Sequence, residues 1–199
     1  MSELILPLCV VGAALLVIAF WAVSVYNGLV ASRNRVKNAF SQIDVQLQRR
    51  HDLIPNLVET AKGFLKHERE TLQAVTEARE AARAAANAAA ADPTAAGAMA
   101  KLGAAEGLLG SALAGLRVVV EAYPNLKSDA HMASLMEELS STENKIAFAR
   151  QAYNDSVMSY NTARETFPAA LIAGAFGFSP CPQLEIETPE ARRNVKVSF

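Results

Sequence analysis

Ala130–Phe167 reads AHMASLMEELSSTENKIAFARQAYNDSVMSYNTARETF. Met132, Leu135, Leu139, Thr142, Ile146, Ala149, Tyr153, Ser156, Tyr160, Ala163 and Phe167 recur in alternating steps of three and four. An α-helix turns once in about 3.6 residues, so this spacing collects all of them on one stripe. A stripe this long is a core seam and demands partner helices along its length. Ser128 or Asp129 offers a cap at its start, and Pro168 stops it.

The partners lie upstream. A helix over about 95–122 is bounded by Asp92-Pro93-Thr94 before it and Tyr123-Pro124-Asn125 after it. Its small residues, Gly103 and Gly107, then Ser111 and Gly115, stand four apart, a spacing that permits close approach of another helix. Lys101, Glu106 and Arg117 argue against its crossing a membrane. Before it, about 29–90 reads as one long helix. Val36, Phe40, Ile43, Leu47, Ile54, Leu57, Ala61 and Phe64 form its stripe, and Val75, Ala78 and Ala82 resume it. Pro55 lacks a backbone donor, so a bend or a fresh start is expected near His51–Pro55. The chain is rich in Ala and poor in aromatic residues, which favours helix over sheet.

Farther upstream, no charged residue occurs between Glu3 and Arg33. Leu4–Val25 is long enough for a helix to cross the hydrocarbon core, and Trp21 and Tyr26 mark its far end. No basic residue precedes the run, as a cleaved signal would require, so a retained anchor is expected. Arg33, Arg35 and Lys37 follow it and place the bulk of the chain in the cytoplasm, with the N-terminus outside. The fold class expected is therefore all-α: an N-terminal transmembrane helix, then an antiparallel bundle of three long helices plus a short C-terminal helix. The divisions expected are 1–28 for the anchor, 29–178 for the bundle and 179–199 for a flexible tail.

Helix lengths carry a further expectation. At about 1.5 Å per residue, helix 29–90 could reach roughly 90 Å and helix 95–122 only about 40 Å. The part of helix 29–90 nearest the anchor would then be a stalk or would pair with a second copy, and Leu29, Val36, Phe40 and Ile43 would form its exposed seam.

Chemistry is sparse. The net charge is -1, with no basic excess to suggest nucleic acid. The two cysteines, Cys9 and Cys181, imply no disulfide framework. His67-Glu68-Arg69-Glu70-Thr71 begins like a zinc-protease motif and lacks its second histidine. No metal, cofactor or catalytic constellation is expected. Arg50 sits on an apolar stripe and needs a carboxylate, for which Glu143 and Glu138 are the candidates. Tyr153-Asn154 and Tyr160-Asn161 stand seven residues apart, so they share a helix face. Tyrosines in the seam and asparagines bonding a neighbouring helix is the structural reading; a partner-binding face is the functional one. Phe167–Phe178 is apolar enough to cover the bundle end or to bind something.

Several stretches together resemble the LemA family: Tyr26-Asn27 after the anchor, Arg49-Arg50-His51-Asp52-Leu53-Ile54-Pro55-Asn56-Leu57-Val58, Ala122-Tyr123-Pro124-Asn125-Leu126-Lys127, Glu143–Arg150, both later Tyr-Asn pairs, Thr166-Phe167-Pro168 and Ala173–Phe178. The resemblance implies a bacterial membrane protein with an antiparallel bundle of long helices and a short extra one. It carries no catalytic residues over. Some relatives have a lipid-modified cysteine where Val25 stands here, and the Pro180-Cys181-Pro182 stretch departs from the usual basic residue between the prolines. Its members include a magnetosome-associated protein and others linked with membrane protein quality control. The expected function is a non-enzymatic scaffold or adaptor at the plasma membrane. It would be held by the lipid bilayer and would meet protein partners or other copies of itself. The alternatives are a regulatory partner of a membrane protease or transporter, and a membrane-remodelling or organelle-associated protein.

Overall fold

The computed structural model describes residues 2–65 and 68–186, with side chains from residue 8 onward. Its helices are α1 (Ser2–Lys62), α2 (Arg69–Ala91), α3 (Ala96–Ala122), α4 (Pro124–Lys127), α5 (Ala130–Glu165) and α6 (Ala169–Ala175). No strand occurs among the described residues. The apolar stretch of α1 has the length and hydropathy of a membrane span, and none of its described residues is buried. Helix α3 is also long and apolar enough, but 44% of its most apolar stretch is buried, as befits a core helix.

Below the apolar stretch, α1, α2, α3 and α5 form a bundle in which the chain reverses direction at each connection. The Phe40 and Tyr153 rings meet edge to face at 5.9 Å, and Arg49 Nε donates to Glu138 at 3.2 Å, so α5 runs antiparallel to α1. The Asp92 carboxylate accepts from the Thr94 amide at 3.0 Å, which closes the α2–α3 turn. Asp129 caps α5 by accepting from the Met132 amide at 2.8 Å.

Four expectations are corrected. No fresh helix starts at Pro55. Helix α1 continues to Lys62 and ends at Gly63, so the segment 29–90 is two helices. Proline is tolerated because the bond it removes is replaced. Pro55 has no N–H to give the His51 carbonyl one turn back, and Arg79 Nε of α2 donates to that oxygen at 2.6 Å.

The seam over 29–43 is not exposed. Leu29 and Phe40 are 2% accessible, and Val36 and Ile43 are fully covered within one chain. The missing partners are the last part of α5, α6 and the chain beyond it. Tyr153, Val157, Tyr160, Ala173, Phe178, Cys181 and Leu184 share this core. At about 1.5 Å per residue, the 36 residues of α5 reach roughly 54 Å and outrun both α2 and α3.

The chain after Phe178 is not free either. Residues 179–186 lie along α5, with Cys181 and Leu184 buried. The remaining tail lies outside the described residues. Finally, Phe167 leaves the stripe: α5 ends at Glu165, the Phe167–Pro168 peptide is cis, and the ring is exposed.

Candidate functional site

Two polar constellations stand out, one in each half of the bundle. The first is a layer of charge inside the core. Arg50 and His51 come from α1 and Glu106 from α3. All three are buried, Glu106 at 1% accessibility. One carboxylate oxygen of Glu106 pairs with Arg50, and the other lies 3.1 Å from His51 Nε2. Thr142 of α5 is buried beside this level and satisfies its own hydroxyl by donating to the Glu138 carbonyl at 2.8 Å. The layer divides the apolar core: Leu47, Leu102 and Ile146 lie on the side of the apolar stretch, Ile54, Leu109 and Leu139 on the other.

The electrostatics follow from burial. Removal from water pushes the His51 imidazole down to about 4, and the positive charges of Arg50 and Arg79 add to this while Asp52 opposes it. His51 is therefore neutral near pH 7. A carboxylate only accepts, so Nε2 carries the proton and donates to Glu106. Burial lowers Arg50 to about 10, and the charge of Glu143 opposes the shift. The guanidinium remains charged at neutral pH and balances Glu106. The partner of Arg50 is thus Glu106, not Glu143 or Glu138. Those two lie toward the surface, where Glu143 faces Arg117 at 3.5 Å and Glu138 faces Arg49.

The second constellation is a ladder on α5. Asn161 Nδ2 donates to the Cys181 carbonyl at 2.9 Å, and its Oδ1 accepts from the Cys181 amide at 2.9 Å. Asn154 treats Leu184 the same way, at 3.3 and 2.9 Å. A side-chain amide presents an N–H donor and a carbonyl acceptor side by side, so each asparagine pairs with both the C=O and the N–H of one residue, as a rung of a sheet does. The tyrosines complete the ladder. Tyr160 donates to the Ser179 carbonyl at 2.9 Å. The Tyr153 hydroxyl sits between the carbonyls of Pro182 at 2.9 Å and Pro93 at 3.1 Å, joining the tail to the α2–α3 turn. Burial pushes both phenols above their ordinary range and raises the Cys181 thiol likewise, so all three stay neutral. The expected neighbour was a helix; the structure supplies an extended segment instead, because its unpaired peptide groups are what an amide can match.

Gly103 belongs to the same place. A Cβ there would lie 2.1 Å from the carbonyl oxygen of Glu185. Its smallness serves the tail, whereas Gly110 and Gly115 face open space.

Sequence reasoning singled out Arg50 and the Tyr-Asn pairs, and it put Leu29, Val36, Phe40 and Ile43 on an exposed seam that the fold buries instead. It missed Glu106, His51 and Arg79 as members of a network. A buried arginine called for a carboxylate, and Glu106, an acid flanked by Leu102, Gly103, Gly107 and Leu109, was the available signal. The His67 motif lies partly outside the described residues, and no cluster able to hold a metal occurs among the described ones.

Comparison with known proteins gives a consistent answer. The LemA family model matches residues 39–199. Magnetosome protein MamQ of Magnetospirillum gryphiswaldense is 27% identical, over 77% of this chain and 62% of its own length. Magnetosome proteins MamQ 2 and MamQ 1 of Paramagnetospirillum magneticum are each 30% identical, over 83% of this chain and 67% of their own. The chain thus spans about three fifths to two thirds of the relatives it matches.

Proposed function

Because this chain belongs to the LemA family, we propose that it is a membrane-anchored, non-enzymatic scaffold or adaptor whose bundle presents a lateral surface to protein partners. One observation carries the reading. The buried charges Arg50, Glu106 and His51 are consumed by one another, while Val45, Leu108, Val118 and Phe148 stand exposed on α1, α3 and α5. Catalysis needs convergent polar groups open to a substrate; binding needs apolar anchors on an outer face.

In this reading the apolar stretch of α1 crosses the plasma membrane. Arg33, Arg35 and Lys37 hold the bundle on the cytoplasmic side. Contact between copies falls on the outer faces, since Leu29, Val36, Phe40 and Ile43 are used within one chain.

The test is crosslinking in cells on the full chain, followed by mass spectrometry and stoichiometric co-purification in mild detergent. The expected result is one recurrent protein, or a second copy, crosslinked to the bundle. Phe148→Asp should weaken that crosslink without changing the melting curve. Intrachain crosslinks alone, across repeated experiments, would defeat the scaffold reading. A membrane protease or transporter as the recurrent partner would support the regulatory alternative. The magnetosome relatives favour an organelle-associated role as a further alternative.

A further inference from the structure

From Phe167 to Phe178 the chain carries no charged or amide side chain, and only part of it is buried. Ala173 and Phe178 pack into the core. Phe167, Leu171 and Phe176 do not: they are 78, 65 and 63% exposed. Three large apolar side chains on one short segment form a patch that water does not favour.

The position of the patch says what covers it. The Tyr26 ring meets Phe176 edge to face at 5.1 Å and Phe178 at 5.5 Å. Val25 packs against the same core. Leu4–Val25 is the uncharged run, and at about 1.5 Å per residue its 22 residues reach roughly 33 Å, close to the thickness of the hydrocarbon layer. Tyr26 therefore falls at the boundary between hydrocarbon and headgroups, and α6 falls beside it. The charges nearby suit that depth. The Arg33 guanidinium lies 5.3 Å from the centre of the Phe178 ring, and Arg35 and Lys37 are exposed beyond it. The one acid close by in sequence, Glu165, is paired with Arg164 at 2.5 Å.

We propose that Phe167, Leu171 and Phe176 enter the interfacial layer of the bilayer, so that α6 is a second membrane contact, with Arg35 and Lys37 facing anionic headgroups. Two contacts side by side fix the tilt of the bundle against the membrane, which one spanning helix alone does not. The proposal rests on the reading of α1 as a span, and the experiment separates the two.

The full chain has a single tryptophan, Trp21, inside the apolar stretch. It is reconstituted into phosphatidylcholine and phosphatidylglycerol vesicles carrying lipids brominated near the head of the acyl chain. Native Trp21 reports the span. In a Trp21→Phe background, Leu171→Trp and, separately, Phe176→Trp report α6, and Val118→Trp, exposed near the far end of α3, reports the aqueous end. Melting curves check that each variant folds. The expected result is bromine quenching at positions 171 and 176 comparable to that of Trp21, and none at 118. Quenching of Trp21 with none at 171 and 176 overturns the proposal and leaves the span standing; a second copy or a protein covering the patch would give this outcome. Absence of quenching at Trp21 overturns both.

Discussion

The two halves of the bundle are held by different means. Beyond the charge layer, four helices bury Ile54, Leu57, Leu109, Leu116, Leu135 and Leu139 against one another. On the other side, α2 and α3 contribute only the ends that meet at their turn, through Ala86, Ala89, Met99 and Leu102, and a short helix and the segment after it close the rest against α1 and α5. The far half relies on side chains meeting side chains. The near half relies on side-chain amides and hydroxyls meeting backbone. Apolar packing is non-directional and tolerates exchange of similar shapes. A ladder of hydrogen bonds is directional and fails rung by rung. The charge layer sits where one regime gives way to the other.

The layer is where the comparison breaks most easily. Glu106→Ala leaves Arg50 buried without a partner, and the expected loss is about 3–5 kcal/mol in denaturation of the full chain in detergent. Replacing both, Arg50→Met with Glu106→Leu, should recover most of it. A loss below about 1 kcal/mol for the single change would mean that water reaches the pair, since exposed pairs contribute no more than that.

Acid should act on the same layer. The unfolded imidazole takes its proton near pH 6.5 and folded His51 only near 4. Between these values the unfolded state binds more protons, so acidification favours unfolding. Stability is full above pH 6.5 and falls as the pH drops toward 4. The shift corresponds to a loss on the order of 3 kcal/mol at about 1.4 kcal/mol per unit. Melting curves across this window should show the fall, and His51→Gln should flatten it.

The ladder should fail more gently and only on its own side. Asn161→Ala removes both bonds to Cys181, at an expected loss of about 1–3 kcal/mol. Hydrogen exchange should quicken at the amides of Cys181 and Leu184 while Leu109 and Leu139 keep their protection. Gly103→Ala should produce the same exchange pattern by pushing the tail off α3 at Glu185. Equal quickening in both halves would abolish the distinction between them.

The smallest effect concerns Pro55. Arg79→Ala deprives the His51 carbonyl of its donor, at an expected loss of about 1–2 kcal/mol. In a Pro55→Ala background the backbone N–H returns, and the same substitution should cost less. A double-mutant cycle measures the difference.

Local chemistry was legible before the structure. The stripe of α5 from Met132 to Tyr160, except that Val157 is buried where Ser156 was expected, the Asp92-Pro93-Thr94 turn and the Asp129 cap follow from spacing and from side chains that bond within a few residues. What spacing does not encode is which elements stand side by side. Pro55 looked like a breaker because its replacement donor, Arg79, comes from another helix. Gly63, the true end of α1, carried the weaker signal. Arg50 asked correctly for an acid, but choosing Glu106 over Glu143 requires the level at which α3 passes α1. The chain after Phe178 reads as loose because nothing within it can bond its peptide groups; the groups that do lie on α5, from 19 to 30 residues earlier. The apparent shortage of partners for Leu29–Ile43 had the same origin, since that extended segment was not counted as a partner.

The asparagine ladder has one further consequence. Asn154 and Asn161 are seven residues apart on a helix, about 10.5 Å at the helical rise. Cys181 and Leu184 are three apart, about 9 Å at the polyproline II rise, whose threefold turn also returns Leu184 to the face of Cys181. The two scales nearly coincide, so the pair works as a vernier. A slip of one or two residues aligns neither mark, and only a slip of three brings both into line again. Lengthening the stretch between Cys181 and Leu184 by one residue would leave one asparagine engaged and the other facing the wrong peptide. The docked segment therefore has discrete seats, and its position is read in whole steps of the chain.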